Sequence, residues 1–435
     1  MTPAELLIAL LRTDTINPPG NELPAARILE TYLQDAGLET KILESPTGRP
    51  NLVARLEGTG GEGPLVLLSH TDVVGVERDR WSRDPFAGEE SDGSIWGRGA
   101  LDMKGVGVMH AVAAAELARS NTPVQRTVIF VAVADEEAGG NEGAGWLVDE
   151  HPELVGLAGP PPEILGEGAF GLSGLFARPV MPIVLGEKSV LWLELTATGT
   201  PGHGALPPLE QAPANLARAI TKVAGFGRPR VHEVMREQFA ALAEAAGGAG
   251  AAVFKLLASG AANAAAGALK SQLRARGTIA TLVADTATPT QLAAGYKHNV
   301  VPGTATAALD CRLLPDTDPD DFTASVQRKV RSLGVEVTRV AHYGSPVSER
   351  SPLYDILADE ARSMPEDPVV VPSLTSGMTD VRHWRQRGGH GYGWVPLVVG
   401  PELLATIHGH DERVPVDAFE RAVEVMTRVV ARAAT

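Results

Sequence analysis

The chain is 435 residues long, 44% hydrophobic and 21% charged, with a net charge of −15 and one cysteine, Cys311. That length exceeds one hydrophobic core and predicts two domains, while the acidic balance argues against nucleic acid or an anionic membrane as partner. A single thiol excludes an internal disulfide and any zinc site built from several thiolates, so a metal here must be held by imidazole and carboxylate.

The opening MTPAELLIALLRTDTINPPG lacks the basic region and small-residue cleavage site of a signal peptide. No uncharged apolar run approaches about 18 residues. The expectation is a cytoplasmic protein clear of the membrane. Residues 3–12 and 23–36 read as helices, the second closing on Gly37, with a strand from Leu38. Residues 51–56 alternate as a strand; 64–69 (PLVLLS) form a buried apolar strand that delivers His70, Thr71 and Asp72. The Gly-rich loop WGRGALDMKG then leads into a helix over 106–119, with Asp102 just ahead of the helix, where an N-terminal acid is ordinary.

The stretch TVIFVAVADEE is organised differently. Its β-branched apolar run predicts a strand buried on both faces, as in a parallel sheet, and it ends on Asp135, Glu136 and Glu137. Adjacent acids repel unless a cation gathers them, and no lysine or arginine follows within eight residues. The cation is therefore either distant in sequence or a metal. After a helix near 143–150, residues 163–165 predict a short strand ending on Gly166-Glu167-Gly168. The stretch GEGAFG also matches a dinucleotide fingerprint, but it runs into strand-like sequence with two prolines, so that reading is rejected.

From about Val190 the texture becomes that of antiparallel strands with one wet face. Strands are expected at 190–198, 277–283, 304–314 and 335–341, helices at 213–223 and 319–333, and the loop GTPGHGALP carries His203. Residues 233–268 are Ala-rich, helical and broken by glycines, and they read as packing bulk. A helix over 353–362, strands at 369–371 and 391–399, the loop Ser376-Gly-Met-Thr-Asp380, the run IHGHDER and an amphipathic helix over 416–433 complete the chain. The expected architecture is α/β: a catalytic domain with a mostly parallel central sheet flanked by helices, formed by 1–189 and 344–435, with an inserted α+β lid or dimerisation domain at 190–343.

The ligand candidates at element ends are His70, Asp102, Glu136, Glu137, Glu167 and His408. Each alone has an ordinary structural role; together, two imidazoles and several carboxylates without a thiolate are the donor set of a dinuclear zinc or similar divalent site.

These residues resemble the zinc-dependent exopeptidase family that contains aminoacylases, glutamate carboxypeptidase, succinyl-diaminopimelate desuccinylase and yeast carboxypeptidase S. The resemblance rests on His70-x-Asp72, the Asp102 loop, Asp135-Glu-Glu137, Glu167-Gly168, Gly199-x-x-Gly202-His203, Asn299-Val-Val-Pro302, Asp310-x-Arg312 and His408-Gly-x-x-Glu412-Arg, in the family's order across nearly the whole chain. It implies that Asp102 bridges two divalent ions, Zn2+ first and Co2+ or Mn2+ as alternatives, with His70 and Glu167 completing one site and Glu137 and His408 the other. It further implies Glu136 as general base and Asp72 as the acceptor behind His70. His203 is implied as an oxyanion donor reaching across a homodimer, with Asn299 and Arg312 holding a substrate carboxylate, although Arg312 is equally suited to a structural ion pair.

The implied activity is hydrolysis of a peptide or N-acyl amino acid with a free carboxylate. A narrow N-deacylase of the acetylornithine or succinyl-diaminopimelate type, and a non-catalytic binding protein, are the alternatives. The loop at 376–380 departs from the family's Gly-Gly-Thr-Asp, and the Ala-rich insert is a second departure.

Overall fold

The computed structural model describes residues 1–268 and 277–435. Its larger sheet has eight strands in the order Glu39–Glu44, Pro50–Leu56, Val128–Val133, Leu65–His70, Glu163–Leu172, His390–Val399, Val180–Glu187, Val369–Thr375. The four from Val128–Val133 to His390–Val399 are mutually parallel. The first two strands alternate in direction, and Val180–Glu187 opposes His390–Val399.

Burial on both faces explains the unbroken apolar runs. Leu65, Leu67, Val128 and Phe130 pack into the layer that holds helices Pro3–Leu11, Lys104–Arg119 and Val416–Ala434. Their neighbours Val66, Leu68, Ile129 and Val131 pack on the other face against Leu147 of helix Ala144–Glu150 and Trp384 of helix Val381–Arg385. Alternate side chains of one strand thus enter two cores, which is why no polar alternation marks these segments. This is the α/β sheet flanked by helices that the sequence predicts.

The second sheet is antiparallel, in the order Gly225–Phe226, Thr286–Ala294, Thr304–Leu313, Ser189–Thr198, Val335–Tyr343. One face is covered by helices Ala212–Val223 and Pro319–Val330, whose Leu216, Ala219, Val326 and Val330 meet Leu191, Leu193, Leu309 and Cys311. The opposite face carries the exposed Trp192. The helices Glu233–Ala246 and Gly248–Ala258, although enclosed in sequence by this segment, pack elsewhere. Met235, Phe239 and Leu257 cover Val369, Val371 and Leu374 of the last strand of the larger sheet, and so shield an edge whose unpaired backbone would otherwise be open.

Three expectations change. Residues 277–283, read as a strand, form the helix Gly277–Leu282, because a short run of apolar and β-branched residues fits either period. The strand in that neighbourhood is Thr286–Ala294, which went unread because most of its side chains are exposed and it contains Pro289. The strand expected to stop at residue 165 continues to Leu172, so Glu167 lies within a strand instead of at its end. Among the described residues no helix is long and apolar enough to cross a membrane.

One buried clip joins the two ends of the chain across the intervening segment. Arg126 ion-pairs with Glu163 and donates through Nε to the Gly63 carbonyl at 2.8 Å, while the other Glu163 oxygen accepts the N–H of Leu353 at 2.9 Å. Glu163→Ala leaves that buried guanidinium with only the exposed Glu62, at 3.9 Å, as an acidic neighbour, and it is expected to lower stability by about 3 to 5 kcal/mol. A urea midpoint within experimental error of the parent would count against this role.

Candidate active site

The site forms where the parallel strands end. Leu65–His70 and Val128–Val133 are in register, so His70 lies opposite Val133 and the chain after each strand turns into the same space. Asp135 adopts a left-handed conformation, φ 72°, which an aspartate tolerates better than most residues, and this swings the backbone into a short 3-10 turn at Glu136–Ala138. The acids on which the strand was expected to end therefore diverge from a turn. Asp72 holds the turn in place: its two oxygens accept the N–H groups of Glu136 at 3.2 Å and Glu137 at 3.1 Å. Asn17 donates to Asp72 at 2.8 Å.

The cation question left open by the three acids has a divided answer. Asp135 pairs with Arg49 at 3.2 Å, a residue far away in sequence. Glu136 and Glu137 have no ion pair to lysine or arginine among the described residues.

Glu167 reaches the same space through a bulge. Gly393 pairs with Gly166 and Trp394 with Ala169, so Glu167 and Gly168 are extra residues in their strand. Such bulges re-aim side chains, and this one requires glycine: a Cβ on Gly168 would lie 2.0 Å from the Gly393 carbonyl carbon. Gly168 of GEGAFG thus serves strand pairing, and Gly166 makes room for Val381 of the adjoining helix.

Asp102 and His408 are brought together by a second clip. Glu412, fully buried, accepts N–H groups from Gly99 at 3.0 Å, Leu101 at 2.8 Å and Asp102 at 3.1 Å. Arg98 donates to Glu412 and to the Gly409 carbonyl, both at 2.6 Å. The strands Ser94–Trp96 and Arg413–Pro415 pair beside it. One carboxylate and one guanidinium therefore fix the loops on which Asp102 and His408 stand.

Donor atoms of His70, Asp102 and Glu167 lie within 4.8 Å of one another, as do those of Asp102, Glu137 and His408. Asp102 belongs to both groups; its oxygens lie 3.3 Å from His70 Nε2 and 3.1 Å from His408 Nε2. The other ring nitrogen of His70 lies 3.0 Å from the Asp72 carbonyl and 3.5 Å from its carboxylate.

The electrostatics follow from this crowding. Burial, then the negative charge of Glu167, pushes the Glu136 carboxyl well above the usual range, and burial, then Asp102, does the same to Glu167. Burial opposes the charged form of His70, but hydrogen bonds to Asp102 and Asp72 outweigh it and raise its pKa. Hydrogen bonds to Asp102 and Glu137 push His408 up to about 10.

Not every expected residue joins this group. His203 pairs with Val300 beside Asn299 in a short ribbon, and Gly204 N–H donates to the Asn299 carbonyl at 2.9 Å. Both side chains are exposed. Arg312 makes a two-pronged ion pair with Asp310 at 2.9 and 3.1 Å. Among the described residues, none of the three hydrogen-bonds or ion-pairs with the imidazole and carboxylate group.

Three contributors carried no role in the sequence reading. Glu412 and Arg98 lie within noted motifs, yet only their meeting across some 300 residues reveals what they do. Asp380, from the unusual loop, is buried beside His70, Glu136 and Glu167 with, among the described residues, no hydrogen-bond donor to either oxygen; burial, against the nearby Arg382, pushes its carboxyl up to about 7.

Residues 66–432 match the profile of Peptidase family M20/M25/M40. The chain belongs to this family. It is 28% identical over 435 residues to aminoacylase-1 of Mus musculus, covering 98% of this chain and 93% of that protein. It is 29% identical over 392 residues to the N-fatty-acyl-amino acid synthase/hydrolase PM20D1 of Mus musculus, covering 86% and 74%. An M20 family metallo-carboxypeptidase from Sulfolobus solfataricus shares the fold, with a TM-score of 0.73 at 19% identity over 99% of this chain and 98% of its own.

As an M20/M25/M40 member the chain is a metallohydrolase that uses divalent cations. The residues present fit such ions. Among the described residues Glu167 Oε2 is buried without a hydrogen-bond donor, Glu137 Oε1 has only the His408 ring nitrogen at 3.4 Å, and the donors are oxygen and imidazole nitrogen throughout.

The clip generates a test. Glu412→Gln places an amide NH2 against N–H donors and is expected to weaken divalent metal affinity by about 10- to 100-fold with every donor side chain retained. Competition against a chromogenic chelator measures this, and parental affinity would remove Glu412 from the positioning role.

Proposed function

We propose that this M20 enzyme hydrolyses the amide bond of a small peptide or N-acyl amino acid bearing a free carboxylate, with Glu136 as general base. The observation that carries the reading is the pair of donor groups sharing Asp102, with Glu136 beside them and, among the described residues, no ion pair of its own to lysine or arginine. The activities for which aminoacylase-1 and PM20D1 are named support the substrate class.

His70, Asp102 and Glu167 would hold one cation, and Asp102, Glu137 and His408 the other. Zn2+ suits two imidazoles and three carboxylates, and Co2+ and Mn2+ accept the same donors. When bound, such a pair polarises the scissile carbonyl and makes water acidic enough to attack near neutral pH.

The chain's own groups supply the rest. Asp72 faces the far side of the His70 ring and keeps that imidazole aimed at Asp102. Burial makes the Glu136 carboxylate a stronger base than an exposed one, able to take a proton from the attacking water and return it to the departing amine. His203 Nδ1 accepts the Ala205 N–H at 3.0 Å, which leaves Nε2–H as the free donor in the neutral ring. That donor suits a developing oxyanion. Because His203 stands on the antiparallel segment away from its own chain's donor groups, the reading includes a homodimer in which residues 190–343 act as lid and each His203 serves the neighbouring site. Asn299 accompanies it in the turn just before the adjoining strand. For Arg312 to grip a substrate carboxylate it must share its guanidinium with Asp310.

Glu136→Gln is expected to lower kcat by about 100- to 10,000-fold with both ions retained. Turnover and metal content are read on the same preparation, and unchanged kcat would discredit Glu136 as the base. His203→Ala is expected to lower kcat by about 100- to 1,000-fold, again with metals in place. Loss of the metals in that variant would make His203 a ligand and overturn the scheme.

A further inference from the structure

Asp72 holds the turn Glu136–Ala138 by its N–H groups, and the carbonyl side of the same turn is held by a different residue. Arg382, buried in helix Val381–Arg385, donates through one guanidinium nitrogen to the Gly139 carbonyl at 2.5 Å and through another to the Thr379 carbonyl at 2.9 Å. Gly139 closes the turn, since its N–H donates to the Glu136 carbonyl at 2.9 Å. Thr379 is itself fixed. Glu187, fully buried at the end of strand Val180–Glu187, accepts the Thr379 N–H at 2.8 Å, the Thr379 hydroxyl at 2.7 Å and the Arg385 guanidinium at 2.7 Å. Asp380, next in the loop, abuts the turn: a Cβ on Gly140 would lie 2.1 Å from Asp380 Oδ1. A continuous set of buried contacts thus runs from Glu187 through Thr379 and Arg382 to the turn that carries Glu136.

A guanidinium taken out of water needs strong acceptors, and a carboxylate is the usual one. Here the Asp380 carboxylate lies 3.7 Å from the Arg382 guanidinium, beyond hydrogen-bond reach, and the two nitrogens go to backbone carbonyls instead. The planar fork bridges both carbonyls in one geometry, which the single ammonium of a lysine cannot reproduce. What it bridges is a loop anchored to the sheet and the turn of the base. A base that must meet its proton at hydrogen-bond distance tolerates little displacement, since about 1 Å can cost roughly 100-fold in rate. We infer that Arg382 is a positioning residue for Glu136, gripping the carbonyl that closes its turn, and that Glu187 acts through Arg382. The inference rests on the reading of Glu136 as the base and adds the support that aims it.

The test uses the full chain loaded with Zn2+. N-acetyl-L-alanine, N-octanoylglycine and L-alanyl-L-alanine are offered to the parent, and the one hydrolysed fastest is kept. Arg382→Lys retains the charge but reaches only one carbonyl; it is expected to lower kcat by about 10- to 100-fold, with KM within about threefold of the parent and both ions bound. Glu187→Gln turns an amide N–H toward one of the donors it should accept, and is expected to lower kcat by about tenfold, again with metal bound. In the double variant the loss is expected to stay close to that of Arg382→Lys alone, because the two residues act along one path. Parental kcat in a folded Arg382→Lys, whatever its urea midpoint, reduces the residue to a structural role and overturns the inference. So does a fall in kcat that follows loss of metal, or single losses that multiply in the double variant. If circular dichroism shows Arg382→Lys unfolded, Glu187→Gln decides, and parental kcat there overturns the inference. Glu136→Gln on the same substrate keeps the two readings apart. A slowed Glu136→Gln leaves the base in place whatever Arg382→Lys shows, whereas a parental rate in that variant, or no turnover of any of the three substrates by the parent, brings down the base and its support together.

Discussion

Four carboxylates, from Asp102, Glu136, Glu137 and Glu167, are confined with two imidazoles at one edge of a folded core, and the remainder of the site is organised to make that concentration of negative charge tolerable. Without metal, the balance is struck with protons: Glu136 and Glu167 rise towards the neutral acid, and His70 and His408 rise towards the imidazolium. A divalent ion does the same task with more charge in less space, so metal and protons compete for these donors. Asp135, the remaining acid of its run, is excluded from the cluster by Arg49, which pairs it off and leaves the turn free to direct Glu136 and Glu137 inward.

Holding mutually repelling groups in place requires rigid supports, and each support here is a buried polar contact to backbone. Asp72 gathers the N–H groups of Glu136 and Glu137, and Glu412 gathers those of Gly99, Leu101 and Asp102. A carboxylate that accepts several N–H bonds keeps its charge inside the protein at modest cost. The bulge at Glu167-Gly168 works by another principle, inserting residues into a paired strand so that a side chain leaves the plane of the sheet. Its surplus pair carries Glu167, and the strand beyond it forms part of the wall of an apolar cavity.

The antiparallel segment is of looser relevance to the donors. Its own core lies between one sheet face and two helices, and His203 and Asn299 sit on a separate two-stranded ribbon. The Ala-rich helices sewn into the same stretch of sequence belong by packing to the larger sheet, whose last strand they cover. An insertion can therefore stabilise the catalytic layer while leaving the antiparallel face with Trp192 uncovered.

Much of the larger sheet was legible because strands buried on both faces are written as unbroken apolar runs, and the runs at 64–69 and 127–134 end in the residues that the structure gathers at the site. Donor chemistry was equally legible: one cysteine, with histidines and acids at element ends, leaves little besides an oxygen and imidazole site. The helix Gly277–Leu282 and the strand Thr286–Ala294 were not, since short or mostly exposed segments carry no decisive period. By itself, then, the sequence determined which groups were available and the family pattern in which they stand. Only the tertiary structure decided that Glu167 enters from a bulge, that Arg49 withdraws Asp135, that Arg98 and Glu412 lock two distant loops together, and that an apolar cavity opens behind Asp102. The physical reason is that periodicity records how a residue meets its immediate neighbours, whereas register, pairing and cavity shape arise between segments hundreds of residues apart.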